Sequence, residues 1–211
     1  MPIFHSLNNR DNTEVFIWKI TETEAFLRSG IELSENSKNR LFTMSSNLHR
    51  RGFLSIRHLL KIAGYSDLQL FYTDNGKPHL EDGRHISITH SFEFTAIIIS
   101  DVPIGIDIEK QREKIKRIAP KFIGYEEDFI SSIDNAVKEL TVVWGAKESM
   151  YKLYGKKGLG FKAHCLVEPF KMDSDLTISR IVYQNDNLKF DVYFHEIENF
   201  MLVYVIPSRN A

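Results

Sequence analysis

Cysteine is nearly absent from the 211-residue chain. Cys165 is the only one, so an internal disulfide is impossible and a reducing compartment fits. No apolar run approaches the roughly 20 residues that a membrane helix needs. An excess of one charge is missing too: 27 Lys and Arg against 28 Asp and Glu leave a net charge of -1. That balance gives no global argument for a nucleic-acid or anionic-membrane partner, so any anion site must be a local cluster. The opening stretch MPIFHSLNNRDNT is polar and lacks the apolar core of a signal peptide. These absences lead to the expectation of a soluble cytoplasmic protein with no membrane or nucleic-acid partner.

What is present is ordinary for a globular protein: 43% apolar and 26% charged residues. The length allows one sizeable core or two small ones. Glu14 to Ile20 reads as a strand, followed by a short polar helix around 22–29 and a long helical pattern from about Glu35 to Ala63. Arg50, Arg51, Arg57, His49, His58 and Lys61 crowd the second half of that helix, either as a solvated basic face or as an anion site. His85 to Ser100 is β-rich, and Asp101-Val102-Pro103 is expected to turn it into the next strand as an antiparallel hairpin. Lys110 to Gly124 is charged and amphipathic, and Phe129 to Ile133 leads into a helix from about Asp134 to Tyr154. Strand candidates follow at 177–183, 188–194 and 200–206. Each half runs strand, helical segment, long helix, Gly-Lys turn and β-rich sequence, a faint internal echo that suggests two similar subdomains.

Two stretches carry the chemistry. Ile104-Gly105-Ile106-Asp107-Ile108-Glu109 alternates with period two, so the isoleucines share one face and Gly105, Asp107 and Glu109 the other. Two carboxylates that close raise each other's pKa unless a cation sits between them. Gly105 would let a ligand approach the backbone. In the helix, Val137, Leu140, Trp144, Tyr151 and Tyr154 form the expected core stripe, with Glu148 on its flank in line with Thr141, Gly145 and Lys152. If the small pair Thr141 and Gly145 admits the Asp107 strand, three carboxylates converge as a Mg²⁺ arrangement. Taken singly, Asp107 and Glu109 fit an ordinary strand face, Glu148 and Lys152 a surface ion pair, and His90 a core histidine.

Taken together, in order and at their spacing, these stretches resemble the 4'-phosphopantetheinyl transferase superfamily, of the monomeric type that activates peptide synthetases. Gly105-Ile106-Asp107-Ile108-Glu109-Lys110 and Trp144-Gly145-Ala146-Lys147-Glu148-Ser149-Met150-Tyr151-Lys152 match its two main signatures. Gly76-Lys77-Pro78 and Ile88-Thr89-His90-Ser91 match its two upstream motifs. Gly145-Ala146 stands where a bulkier pair is usual, and Thr89 where serine is usual.

The resemblance implies an α+β monomer of two pseudo-symmetric subdomains, each a long helix packed on a small, mostly antiparallel sheet. Residues 1–101 would contribute to coenzyme A binding and 102–211 would carry the metal site, with coenzyme A between them. The implied reaction moves the 4'-phosphopantetheine arm of coenzyme A to a serine of an acyl or peptidyl carrier protein, releasing adenosine 3',5'-bisphosphate. Asp107, Glu109 and Glu148 would hold Mg²⁺, with Mn²⁺ as the alternative. Lys152 would reach a phosphate. His90 and Lys77 would meet the 3'-phosphate and adenosine end, and Arg51, a looser match to the family's upstream arginine, Ser91, Asp107 and Lys152 would also contact coenzyme A. The general base stays open between Glu148, directly or through a metal-held water, and Lys147. The carrier would dock near Lys110 to Glu127, where Lys110, Arg112, Lys114, Lys116, Arg117 and Lys121 flank Ile115, Ile118 and Phe122. The alternatives are a non-catalytic relative that binds coenzyme A or a carrier, and a Mg²⁺-dependent phosphohydrolase or nuclease.

Overall fold

In the first half, period-two burial of Val15 and Ile17 and the fully buried run at Phe94–Ser100 set a sheet against the amphipathic 47–62 helix. A computed structural model describes residues 4–130 and 135–209 and divides the chain into two units, Met1–Asp101 and Val102–Ala211. The first unit holds β1 (His5–Arg10), β2 (Thr13–Lys19), α1 (Glu24–Arg28), α2 (Glu35–Thr43), α3 (Asn47–Ile62), β3 (Leu70–Tyr72), β4 (Pro78–Leu80), β5 (His85–Ser91) and β6 (Phe94–Ser100). Its main sheet has the order β1-β2-β6-β5, antiparallel throughout. Phe53, Leu54, Ile56, Leu59 and Leu60 of α3 share one core with Trp18, Ile97 and Ile99 of that sheet.

The second unit holds β7 (Gly105–Lys110), α4 (Lys114–Ile118), α5 (Ala136–Tyr154), α6 (Phe161–His164), β8 (Cys165–Val167), β9 (Leu176–Tyr183), β10 (Asp186–Ile197) and β11 (Phe200–Pro207). Its sheet has the order β7-β11-β10-β9-β8, again antiparallel throughout. Leu140, Val142, Val143, Ala146, Met150 and Leu153 of α5 share its core with Met201, Val203 and Val205 of β11. The architecture is therefore α+β in two repeated-looking halves, each with one long helix on a main antiparallel sheet, the first adding the two-stranded β3-β4 pair.

Several expectations from sequence change here. The 35–63 helix is two helices: Met44 is extended, and the Ser46 side chain caps α3 by accepting from His49 N. Strand β1 falls in a polar stretch with no alternation to betray it. Strands β6 and β7 are not a hairpin, since β6 pairs with β2 and β5 while β7 pairs with β11. Helix α5 is capped at Asn135, so the expected start at Asp134 and most of the 129–133 lead lie outside the described residues. Nor does α5 have a single stripe: Tyr151 is exposed, while Thr141, Lys147 and Ser149 are buried beside the apolar core. Among the described residues, no helix is long and apolar enough to cross a membrane.

The basic run of α3 is largely spent on internal pairing. Arg50 Nε bonds Glu24 Oε2 at 2.7 Å, and Arg57 Nε meets Asp67 Oδ1 at 2.8 Å with both side chains buried. Asp67 also accepts from Ser34 N and from the Ser34 and Ser37 hydroxyls, which ties the start of α2 to α3. Burial alone would raise the Asp67 carboxyl, but Arg57 and these donors outweigh it and hold it below its ordinary value. A depressed carboxyl stabilises the fold above its unfolded pKa, about 4, and loses that contribution as pH falls through the folded value. Asp67→Asn should therefore cost about 3–5 kcal/mol at pH 7 by urea unfolding. The gap to wild type should narrow below pH ~4, and a gap of constant size down to pH 3 would refute the assignment.

Candidate active site

Strand β7 presents Asp107 and Glu109 on the face that meets α5. Asp107 is 6% exposed and Glu109 half-buried. Close approach of the two elements depends on Gly105: a Cβ there would lie 1.9 Å from Ser149 O of α5. The bare backbone at Gly105 thus admits a helix, where the sequence suggested a ligand. Gly145 serves α5 similarly against β11, since a Cβ there would lie 2.7 Å from a Val203 methyl. Ser149 Oγ donates to Val203 O at 3.1 Å and fixes the helix rotation.

That rotation aims Glu148 and Lys152 at β7. Lys152 Nζ donates to Ile106 O and to Asp107 Oδ1, each at 2.8 Å. Burial raises the pKa of Glu148. Asp107 and, more weakly, Glu109 push it further the same way, while Lys152 opposes them. Three carboxylates thus share one neighbourhood with the Lys152 ammonium. Among the described residues, no three His, Cys, Asp or Glu side chains are gathered closely enough to hold a metal ion as they stand. The donor chemistry nevertheless fits a hard divalent cation: all three are carboxylates, and the repulsion felt by Glu148 is what such a cation relieves.

Lys147 lies elsewhere. Its side chain is 0% exposed and its Nζ meets Glu126 Oε1, also 0% exposed, at 2.7 Å. It also donates to Phe122 O at 2.7 Å and to Phe161 O at 3.2 Å. Burial pulls its ammonium below the ordinary lysine range, with Glu126 opposing. All three N–H groups are committed away from Glu148, an arrangement for holding structure rather than for taking a proton. Glu126 went unnoticed in the sequence because Glu126-Glu127-Asp128 reads as a solvated acidic run, with nothing to mark which member is buried.

The remaining candidates belong to the first unit. Arg51 is half-buried on α3 and donates to Ile20 O at 3.2 Å, leaving a buried Nε with no hydrogen-bond partner among the described residues. Lys77 is half-buried before β4, and desolvation lowers its pKa. His90 is exposed at the end of β5, its ring 5.9 Å from that of His49, so it is not the core histidine its alternation phase allowed. Ser91, next to it, is buried. Cys165 is buried and its thiol is pushed up to about 12, mainly by burial, which keeps it unreactive.

Residues 103–202, nearly the whole second unit, match the family described as the 4'-phosphopantetheinyl transferase superfamily. Through this half, the chain resembles that superfamily. The 4'-phosphopantetheinyl transferase gsp of Aneurinibacillus migulanus is 31% identical over 153 residues, covering 69% of this chain and 62% of its own length. The 4'-phosphopantetheinyl transferase Sfp of Bacillus subtilis is 29% identical over 145 residues, covering 64% of each. A second B. subtilis protein, 4'-phosphopantetheinyl transferase ffp, is 28% identical over 143 residues, 62% of each. The chain thus spans somewhat less than two thirds of the curated relatives it matches. Within the superfamily's segment fall β7, α5 and all four of Asp107, Glu109, Glu148 and Lys152.

Proposed function

We propose that this chain is a 4'-phosphopantetheinyl transferase, acting on coenzyme A and on a serine of an acyl or peptidyl carrier protein. The observation that carries the reading is Glu148, half-buried and raised in pKa beside Asp107 and Glu109, with Lys152 bonded to Asp107. A carboxylate raised by its surroundings is a better proton acceptor at neutral pH, which suits Glu148 to take the proton of the carrier's serine. The serine oxygen then attacks the phosphorus that bears the pantetheine arm. The bond to the second phosphate breaks, and adenosine 3',5'-bisphosphate leaves with the electron pair. Lys152 meets the charge that builds on the departing phosphate and, through Ile106 O and Asp107 Oδ1, holds β7 in place. A divalent cation held by Asp107, Glu109 and Glu148, Mg²⁺ by donor type, would supply Lewis-acid charge at the pyrophosphate. Arg51, Lys77, His90 and Ser91 are proposed for the nucleotide end, since a 3'-phosphate calls for cations and hydrogen-bond donors.

The carrier surface is proposed around α4. Arg112, Lys114, Lys116, Arg117 and Lys121 are exposed, while Ile115 and Ile118 are half-buried against the core. Phe122 is 1% exposed and leaves the expected apolar contact. The surface is thus a cationic one, suited to an acidic helix. Reversing Lys116 and Arg117 to Glu should raise the KM for carrier about tenfold and leave that for coenzyme A alone. Unchanged carrier kinetics would remove α4 from the docking surface.

Intact mass spectrometry tests the reading itself. An apo carrier incubated with the protein, coenzyme A and Mg²⁺ should gain one phosphopantetheine, about 340 Da. The gain should vanish with EDTA. Absence of any gain across several unrelated carriers, together with no coenzyme A binding by calorimetry, would overturn it.

A further inference from the structure

The buried pair of Lys147 and Glu126 joins more of the chain than two side chains ordinarily do. Beyond the ion pair and the two lysine bonds, Glu126 Oε1 accepts from Val167 N at 3.0 Å and Oε2 accepts from Gly124 N at 3.2 Å. Four segments meet at this point: α5, the 122–126 stretch, the start of α6 at Phe161, and β8. Apolar contacts already pin the same place, with the Phe122 and Trp144 rings 5.0 Å apart and those of Trp144 and Phe161 5.5 Å apart. Cohesion alone did not require a fully buried charge pair, because an apolar pair of similar volume is generally as stable or more so. What directed bonds add, and apolar packing lacks, is a fixed register. Lys147 directly precedes Glu148, and Glu126 closes the stretch that begins at α4.

We infer that Lys147 and Glu126 form a positioning pair, which locks the 119–128 stretch to the helix carrying Glu148 so that a docked acceptor protein arrives in register with that carboxylate. The inference rests on the proposed docking of the carrier around α4. It makes neither residue a catalytic one: both act through the placement of Glu148 and of the docking stretch.

The test uses the full chain and the double variant Glu126→Gln/Lys147→Met, which removes both charges and keeps the volumes. Its melting temperature should stay near that of wild type, since no unpaired charge is left buried. Amide exchange across residues 119–130 and at Val167 should rise at least tenfold. The kcat/KM for carrier should fall at least tenfold, while the KM for coenzyme A stays within twofold. A merely structural pair would not give that split. Unchanged exchange overturns the latch, and carrier kinetics within threefold of wild type overturn its role in delivery. Equal rises in both KM values would mean general loosening and would also overturn it. If the double variant fails to fold, Glu126→Asp, which keeps the charge and shortens its reach, carries the same readouts. A wild-type protein that modifies no carrier sinks the proposed activity instead, and the exchange measurement alone then decides the latch.

Discussion

Replacing Glu148 by Gln should lower the kcat/KM of the proposed phosphopantetheine transfer by about 10²- to 10⁴-fold, the range expected when a positioned base is removed. The amide keeps the shape of the carboxylate, so the fold should survive. Stability gives an independent check. Glu148 is raised by burial and then by Asp107 and Glu109, so its charged form is disfavoured in the folded chain. A raised carboxyl costs stability as pH climbs through its range, and the neutral amide removes that cost. Without added metal, the variant should melt no lower than wild type at neutral pH. Coenzyme A binding by calorimetry should persist, because the nucleotide end is proposed to be held by other residues. A loss of transfer below threefold would remove Glu148 from the chemistry.

The largest structural effect is expected at a residue with no side chain. In Gly105→Ala the new methyl would meet backbone, the carbonyl of Ser149, at 1.9 Å. No rotamer change can relieve that contact, so β7 and α5 must separate. Overpacking of this kind costs about 3 kcal/mol or more, a fall in melting temperature of roughly 6–12 °C for a chain of this size. Transfer should be lost as well, because Asp107 and Glu109 move away from Glu148 and Lys152. Gly145→Ala is the comparison: its methyl would meet a Val203 methyl at 2.7 Å and the Val203 Cβ at 2.9 Å, so turning that side chain relieves only part of the contact, and a loss smaller than at Gly105 but still clear is expected. A Gly105→Ala melting point within about 2 °C of wild type would mean that the two backbones do not lean on each other.

How far the sequence could be read depends on how local each signal was. The alternation Ile104–Glu109, the C-terminal end of α5 and the presence of β9 to β11 were legible because they follow from neighbours in the chain. Gly155, for instance, ends α5 in the left-handed conformation at φ 66°, as its place after the helical pattern suggested. The failures were those of pairing. Nothing in Asp101-Val102-Pro103 says that the strands on either side belong to different sheets. Nothing around Met44 overrides the helical period except the Ser46 cap. The apolar stripe assigned to α5 failed because the helix is enclosed on most sides, so Thr141, Lys147 and Ser149 are buried too. At the site, Asp107, Glu109, Glu148 and Lys152 were found from two short motifs. The partner of Lys147 was not, because it lies 21 positions away in an acidic run with no periodicity.

The contact between β7 and α5 has a consequence apart from chemistry. The two elements meet backbone to backbone, at Gly105 and the carbonyl of Ser149, where no side chain sets the distance. Substitutions on their other faces should therefore leave the spacing of the two elements unchanged, so the chain can drift in sequence around the site without moving it.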